Sequence, residues 1–128
     1  MDFGKIEHVN FTVSDPKATA DMLCALFAWR IRWEGAAISG GYTVHVGSGD
    51  DYLALYSGPA GRPTPPQDNY AQLGGLNHVG VVVADLEACE ARVRAAGLSP
   101  HSHADYAPGR RFYFHDGDGV EYEVVSYA

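Results

Sequence analysis

Two histidines recur in matching surroundings, His8 within IEHVNFTVSD (6–15) and His78 within LNHVGVVVAD (76–85). At a common offset of 70, Val9 also meets Val79, Val13 meets Val83 and Asp15 meets Asp85. A lone histidine on a strand is ordinarily structural, but two at repeat-equivalent positions form a candidate metal pair. Two neutral imidazoles and one carboxylate suit a divalent transition metal and leave several coordination positions open. Glu121 and Glu123 alternate in the closing segment EYEVV and are both available as the carboxylate. Residue type alone does not choose between them, and the plainer alternative is that both are solvated.

The elements that must carry these groups are themselves repeated. LALYS at 53–57 lies over YEVVS at 122–126 at an offset of 69, so each half has the same order of segments. An alternating strand (4–13; 75–84) leads to Asp15-Pro16 or Asp85-Leu86, where the aspartate caps a helix, and Pro16 suits a first helical position. Helices are expected at 16–28 and 86–96, the second with Leu86, Cys89, Val93 and Ala96 on one stripe and Gly97 as its stop. Three strands close each half: 30–38, 42–47 and 51–57, then 99–103, 110–115 and 120–127. The expected fold is α+β, a single domain of two βαβββ modules (1–57 and 75–128) forming a curved mixed sheet with a concave central cup. Residues 58–74 contain four prolines and three glycines and read as an extended linker, which also permits exchange of halves between two chains.

Strand alternation assigns faces. Val9, Phe11 and Val13 should meet the helices, leaving His8, and likewise His78, on the opposite side. Tyr52 and Tyr56 share the face of Ala54 and are expected to line the same concavity, as substrate-orienting groups or acids. The alternative is that they pack the sheet. Arg110 and Arg111 follow Pro108-Gly109, where Arg111 is a candidate clamp for an anionic substrate. His101 and His103 alternate on a short strand, as an adventitious metal patch or simply exposed. His45 and His115 are candidate acid/base groups. Trp29 and Trp33, with Phe27, read as core or interface.

Composition narrows the function classes. The 128 residues include 9 Lys+Arg and 16 Asp+Glu, a formal charge of 9 − 16 = −7, which disfavours a nucleic-acid partner. A hydrophobic content of 46% is that of a globular chain, and two cysteines make neither a disulfide framework nor a cysteine zinc site. No apolar run reaches the roughly 20 residues of a membrane span, and the start lacks a secretory h-region, so a cytoplasmic location is expected.

The paired histidines, the repeated modules and the ending FHDGDGVEYEVV together resemble the vicinal oxygen chelate superfamily. That group includes glyoxalase I, fosfomycin and bleomycin resistance proteins, and extradiol dioxygenases. The segment Asp116-Gly117-Asp118-Gly119-Val120-Glu121-Tyr122-Glu123 is similar to the family's Asp-Pro-Asp-Gly-Asn-x-x-Glu ending, which puts the family's glutamate ligand on Glu123 and its histidines on His8 and His78. A further family ligand falls on Ala54, which cannot bind metal, so a four-ligand glyoxalase site is disfavoured. The resemblance implies a divalent metal cofactor (Fe, Mn, Ni or Zn) and a homodimer. It also implies an enzyme acting on a small substrate with vicinal oxygens, by Lewis-acid or dioxygenase-type chemistry. A metal-free binding or antibiotic-sequestering protein is the alternative.

Overall fold

The computed structural model describes residues 2–59 and 68–128, in two units, Met1–Thr64 and Pro65–Ala128. Residues 60–67, the middle of the expected linker, lie outside the described residues. The first unit runs β1 (His8–Thr12), α1 (Pro16–Phe27), β2 (Arg30–Ala36), a short 3₁₀ turn (Ile38–Gly40), β3 (Tyr42–Gly47) and β4 (Tyr52–Ser57). The second runs β5 (Val79–Val82), α2 (Leu86–Ala95), β6 (His101–Tyr106), β7 (Gly109–His115) and β8 (Glu121–Ser126).

Each unit holds its own four-stranded mixed sheet, ordered β1-β4-β3-β2 in the first and β5-β8-β7-β6 in the second. The first and last strands of each module pair in parallel, and the three closing strands form an antiparallel meander. Parallel β1 and β2 at opposite sheet edges require a long crossover, which α1 supplies, as α2 does in the second unit. Both repeated modules are therefore present in the α+β form that the sequence implies.

Local chemistry sets the helix ends. Asp15 accepts the Ala18 amide at 3.2 Å and Asp85 the Ala88 amide at 3.0 Å, each cap worth about 1 kcal/mol. Gly97 terminates α2 at φ 83, whereas α1 ends on Ala28, a residue with a side chain held at φ 58. The expected stripe of α2 is buried at Leu86, Cys89 and Val93, while Ala96 lies past the last turn and is exposed. On the helix-facing side of the sheets sit Val44, Val46 and Leu55 in the first unit, and Phe112, Phe114, Tyr122 and Val124 in the second, all fully buried. Truncating a core aromatic such as Phe112 to alanine would cost about 3–5 kcal/mol.

Several strand boundaries differ from the sequence-based expectation, among them the end of β2 at Ala36 rather than 38 and the start of β6 at His101 rather than 99. β1 begins at His8 rather than at residue 4, because its partner β4 begins at Tyr52, whose amide bonds the Glu7 carbonyl at 3.2 Å. Likewise β5 is confined to Val79–Val82 within the expected 75–84. β6 extends to Tyr106, because β7 starts at Gly109 and the two form a hairpin across Ala107-Pro108. That hairpin contains a bulge between His101 and Ala104, with Ser102 at φ 56.

Candidate functional site

His8, His45 and Tyr52 in the first unit, and His78, Glu121 and Glu123 in the second, lie on the sheet face turned away from the helix. In the first unit His8 stands opposite Tyr52 in register, and their rings stack at 5.0 Å. The other face of this cluster is built by His45, stacked on Tyr52 at 4.5 Å, and by Arg32, 4.5 Å from the Tyr52 ring centre. Glu7 bonds His8 Nδ1 at 2.6 Å, and that bond holds the exposed Glu7 carboxyl below its ordinary range. Burial lowers His45 and raises Tyr52, the latter helped by the charge of Glu7. Ala54 is 4% exposed and has no metal-binding side chain.

Tyr52 thus touches His8, but Tyr56 does not share that cluster. It lies four residues further along β4, about 13 Å at strand rise, paired with Thr43. Its ring covers Gly41, where a Cβ would come within 2.5 Å of it. Trp33, expected in a core or interface, is 51% exposed and packs against His45 at 5.1 Å.

In the second unit His78 and Glu123 converge. His78 Nε2 is 3.1 Å from Glu123 Oε1, and the other carboxylate oxygen, Oε2, accepts from Arg111 Nη1 at 2.9 Å. The Arg111 guanidinium lies 5.0 Å from the Tyr106 ring centre. Burial opposes its charge, yet the Glu123 bond and charge prevail and its affinity for a proton rises. Arg111 therefore meets Glu123, where it fixes the carboxylate. Arg110 instead pairs with Glu87 of α2. Tyr113 approaches His78 edge-on at 5.7 Å, and burial with the Glu123 charge raises its hydroxyl above the ordinary value.

Tyr70 completes this group, and no sequence motif marks it because it comes from the linker. Its hydroxyl donates to Glu121 Oε1 and lies 3.0 Å from His78 Nδ1. The bond to Glu121, followed by burial, pushes the Tyr70 hydroxyl up to about 12. With the single Tyr70 proton committed to Glu121, His78 Nδ1 must be the donor to the Tyr70 oxygen. A neutral His78 then presents a bare Nε2 to the Glu123 carboxylate. Two lone pairs 3.1 Å apart need a cation between them, either a proton or a metal ion. Two donors bound at right angles to one ion at roughly 2.0–2.2 Å stand about 3 Å apart, so the pair fits two adjacent ligand positions.

The DGDG turn aims this pair. Asp116 Oδ1 accepts the amides of Asp118 (2.9 Å) and Val120 (3.0 Å), and Tyr122 donates to Oδ2 at 3.1 Å. Tyr122 is fully buried, so Glu121 and Glu123 on either side of it emerge on the opposite face.

His101 and His103 do not form a joint patch. The bulge breaks the strand alternation, so His103 packs toward the helix side, on Phe112 and Glu90, with Nε2 3.0 Å from the Glu90 carboxylate. His101 joins the opposite face, where its Nε2 is 3.0 Å from His115 Nδ1.

A family model described as "Glyoxalase/Bleomycin resistance protein/Dioxygenase superfamily" matches residues 5–124. No curated protein matches the chain significantly. Among solved structures, a glyoxylase/bleomycin resistance protein/dioxygenase domain from Frankia sp. EAN1pec has a TM-score of 0.82 at 19% identity, covering 98% of this chain and 93% of that one. The fosfomycin resistance protein FosX from Mesorhizobium loti has a TM-score of 0.72 at 21% identity, covering 97% and 92%. TnmS3, an antibiotic binding protein from Streptomyces sp. CB03234, has a TM-score of 0.76 at 19% identity, covering 100% and 99%. At these identities the likeness is one of fold.

Proposed function

Because the chain belongs to the glyoxalase/bleomycin resistance protein/dioxygenase superfamily, we propose that it is a divalent-metal-dependent enzyme acting on a small substrate with vicinal oxygens. The proposed ligands are His78 and Glu123, with His8 as their repeat counterpart and Ala54 leaving the fourth family position vacant. One observation carries this reading. His78 Nε2 and Glu123 Oε1 face each other at 3.1 Å, while Tyr70 holds the opposite ring nitrogen and Arg111 the opposite carboxylate oxygen. Metal-binding histidines and carboxylates are oriented by just such outer partners.

A metal ion so held would polarise two chelating substrate oxygens and lower the pKa of bound water. The chain's own groups then have separate tasks. Tyr70 fixes the His78 tautomer, Arg111 presents one oxygen of Glu123, and Tyr113 shields the pair. Tyr52, beside His8, is the proposed substrate-orienting hydroxyl. The chemistry of the donor set, two imidazoles and one carboxylate, favours Fe, Mn, Ni or Zn over Mg or Ca. Among the described residues, no helix is long and apolar enough to cross a membrane. We retain the homodimer as the proposed assembly.

The test is elemental analysis of untagged protein purified without chelators, repeated on Glu123→Gln, His78→Gln and His8→Gln. The expected result is near-stoichiometric Fe, Mn, Ni or Zn that falls by one ion per chain in each variant. Oxygen uptake and lyase or isomerase assays on vicinal-oxygen compounds follow. Unchanged metal content in all three variants, or no uptake of any of the four metals, overturns the reading. The metal-free binding function then takes its place.

A further inference from the structure

A second ligand cluster lies on the same face of the second unit and shares no residue with His8, His78 and Glu123. His101, His115 and Glu121 each offer one donor atom, and the three atoms lie within 4.8 Å of one another. The rings of His101 and His115 stack at 5.0 Å with Nε2 and Nδ1 3.0 Å apart, and His115 Nε2 is 3.5 Å from Glu121 Oε2. We propose that His101, His115 and Glu121 form a separate binding site for a borderline divalent transition metal of the zinc, nickel or copper type.

Three observations support the assignment. First, the Glu121 side chain is only 13% exposed; it accepts a neutral hydroxyl, that of Tyr70, on Oε1, and among the described residues its ion-pairing partners are the imidazoles of His78 and His115. A shielded carboxylate without a permanent cation is costly, and a bound divalent ion compensates it. Glu123, by contrast, has Arg111. Second, the donor atoms are close enough to enclose one ion. His115 meets His101 through Nδ1 and Glu121 through Nε2 and would give the ion only one of these nitrogens, so rotation of the side chains must bring the three donors, which lie within 4.8 Å, to the roughly 3 Å spacing of adjacent ligands. His115 is half exposed, which leaves room for a solvent ligand.

Third, the backbone is arranged for it. His115 stands opposite Glu121 in the β7–β8 register, and the bulge at Ser102 separates His101 from His103, turning His101 toward His115. The register-equivalent positions of the first module are Trp33, Gly47 and Tyr52, which provide no such set. The cluster is therefore particular to the second module, not a by-product of the duplication. Two nitrogen donors and one carboxylate select zinc-type ions over magnesium or calcium.

Zinc chloride titration with a competing chelator tests this on the full chain. In His78→Ala, which removes a proposed ligand of the other site, one zinc per chain should remain. Adding His101→Gln or His115→Gln to that background should raise the dissociation constant at least about tenfold. His103→Gln, on the opposite face, should leave it unchanged. Circular dichroism confirms that each variant is folded. If His78→Ala binds no zinc, or if both glutamine variants bind as tightly as their parent, the second site is overturned and the function proposed above is untouched. Zinc lost in His115→Gln but retained in His78→Gln and Glu123→Gln would sustain this site and sink that function.

Discussion

His78 Nε2 faces Glu123 Oε1 at 3.1 Å, and the far side of the imidazole is tied to Tyr70 at 3.0 Å. The Tyr70 hydroxyl donates its hydrogen bond to Glu121, so its oxygen is an acceptor toward His78 and sets the tautomer. Tyr70→Phe removes that acceptor while keeping the ring. The variant should stay folded, because Tyr70 is 59% exposed, and should bind metal roughly 10–100-fold more weakly. A chelator-competition titration measures the change, and affinity equal to the parent would contradict the role assigned to Tyr70.

Arg111 offers a similar test of positioning against substrate clamping. Its guanidinium bonds Glu123 at 2.9 Å and is mostly shielded from solvent. Arg111→Gln should weaken metal binding roughly 10-fold or more in the absence of any substrate. A clamp would leave metal affinity intact and raise only KM. Arg111→Lys should recover part of the loss, since it keeps the charge without the planar fork.

Asp116 anchors the turn before β8 by taking two backbone amides and the Tyr122 hydroxyl. Asp116→Ala leaves those buried donors unpaired and should cost about 2–4 kcal/mol in urea unfolding. Asp116→Asn retains an acceptor for the amides and should cost less. Burial raises the Asp116 carboxyl above its ordinary 3.8, so the folded protein holds this proton more tightly than the unfolded chain. The resulting stability is fully present below the unfolded value and is lost as pH rises through the folded one. Lowering the pH from 6 to 4 should therefore favour the parent over Asp116→Asn, and a shift in the opposite sense would refute the sign.

Ala28 ends α1 at φ 58, a conformation that α2 assigns to Gly97. A Cβ in the left-handed region costs roughly 1–2 kcal/mol, offset in part by the extra freedom of glycine in the unfolded chain. Ala28→Gly should stabilise the protein by about 0.5–1 kcal/mol, measured as a higher denaturant midpoint. No gain would mean that contacts of the Ala28 methyl group outweigh the strain.

Much of the architecture is legible in the residues themselves. The offset repeat, the alternating strands, the caps at Asp15 and Asp85 and the stop at Gly97 are local signals, each acting within a few residues. They locate both helices and the expected strands to within a few positions, and strand alternation gives most of the apolar faces, although Val9, expected against the helix with Phe11 and Val13, is 42% exposed on the edge strand β1. The same alternation places Glu121 and Glu123 on one face and cannot distinguish their partners.

Those partners were decided by contacts between residues far apart in the chain. The β5–β8 register, Val79 opposite Tyr122, brings His78 alongside both glutamates, and the side chains then divide the work. Glu123 takes His78 and Arg111, while Glu121 takes Tyr70 and His115. Tyr70 belongs to a segment without periodicity, so only the folded path of the linker could bring it to His78. The bulge at Ser102 inverts the side expected for His103 relative to His101, because one extra residue in a strand resets its alternation. Sequence patterns thus determined the elements and their buried faces, which depend on near neighbours. Tertiary structure decided which polar groups meet, because hydrogen-bond partners across a sheet depend on register and chain path, not on residue type.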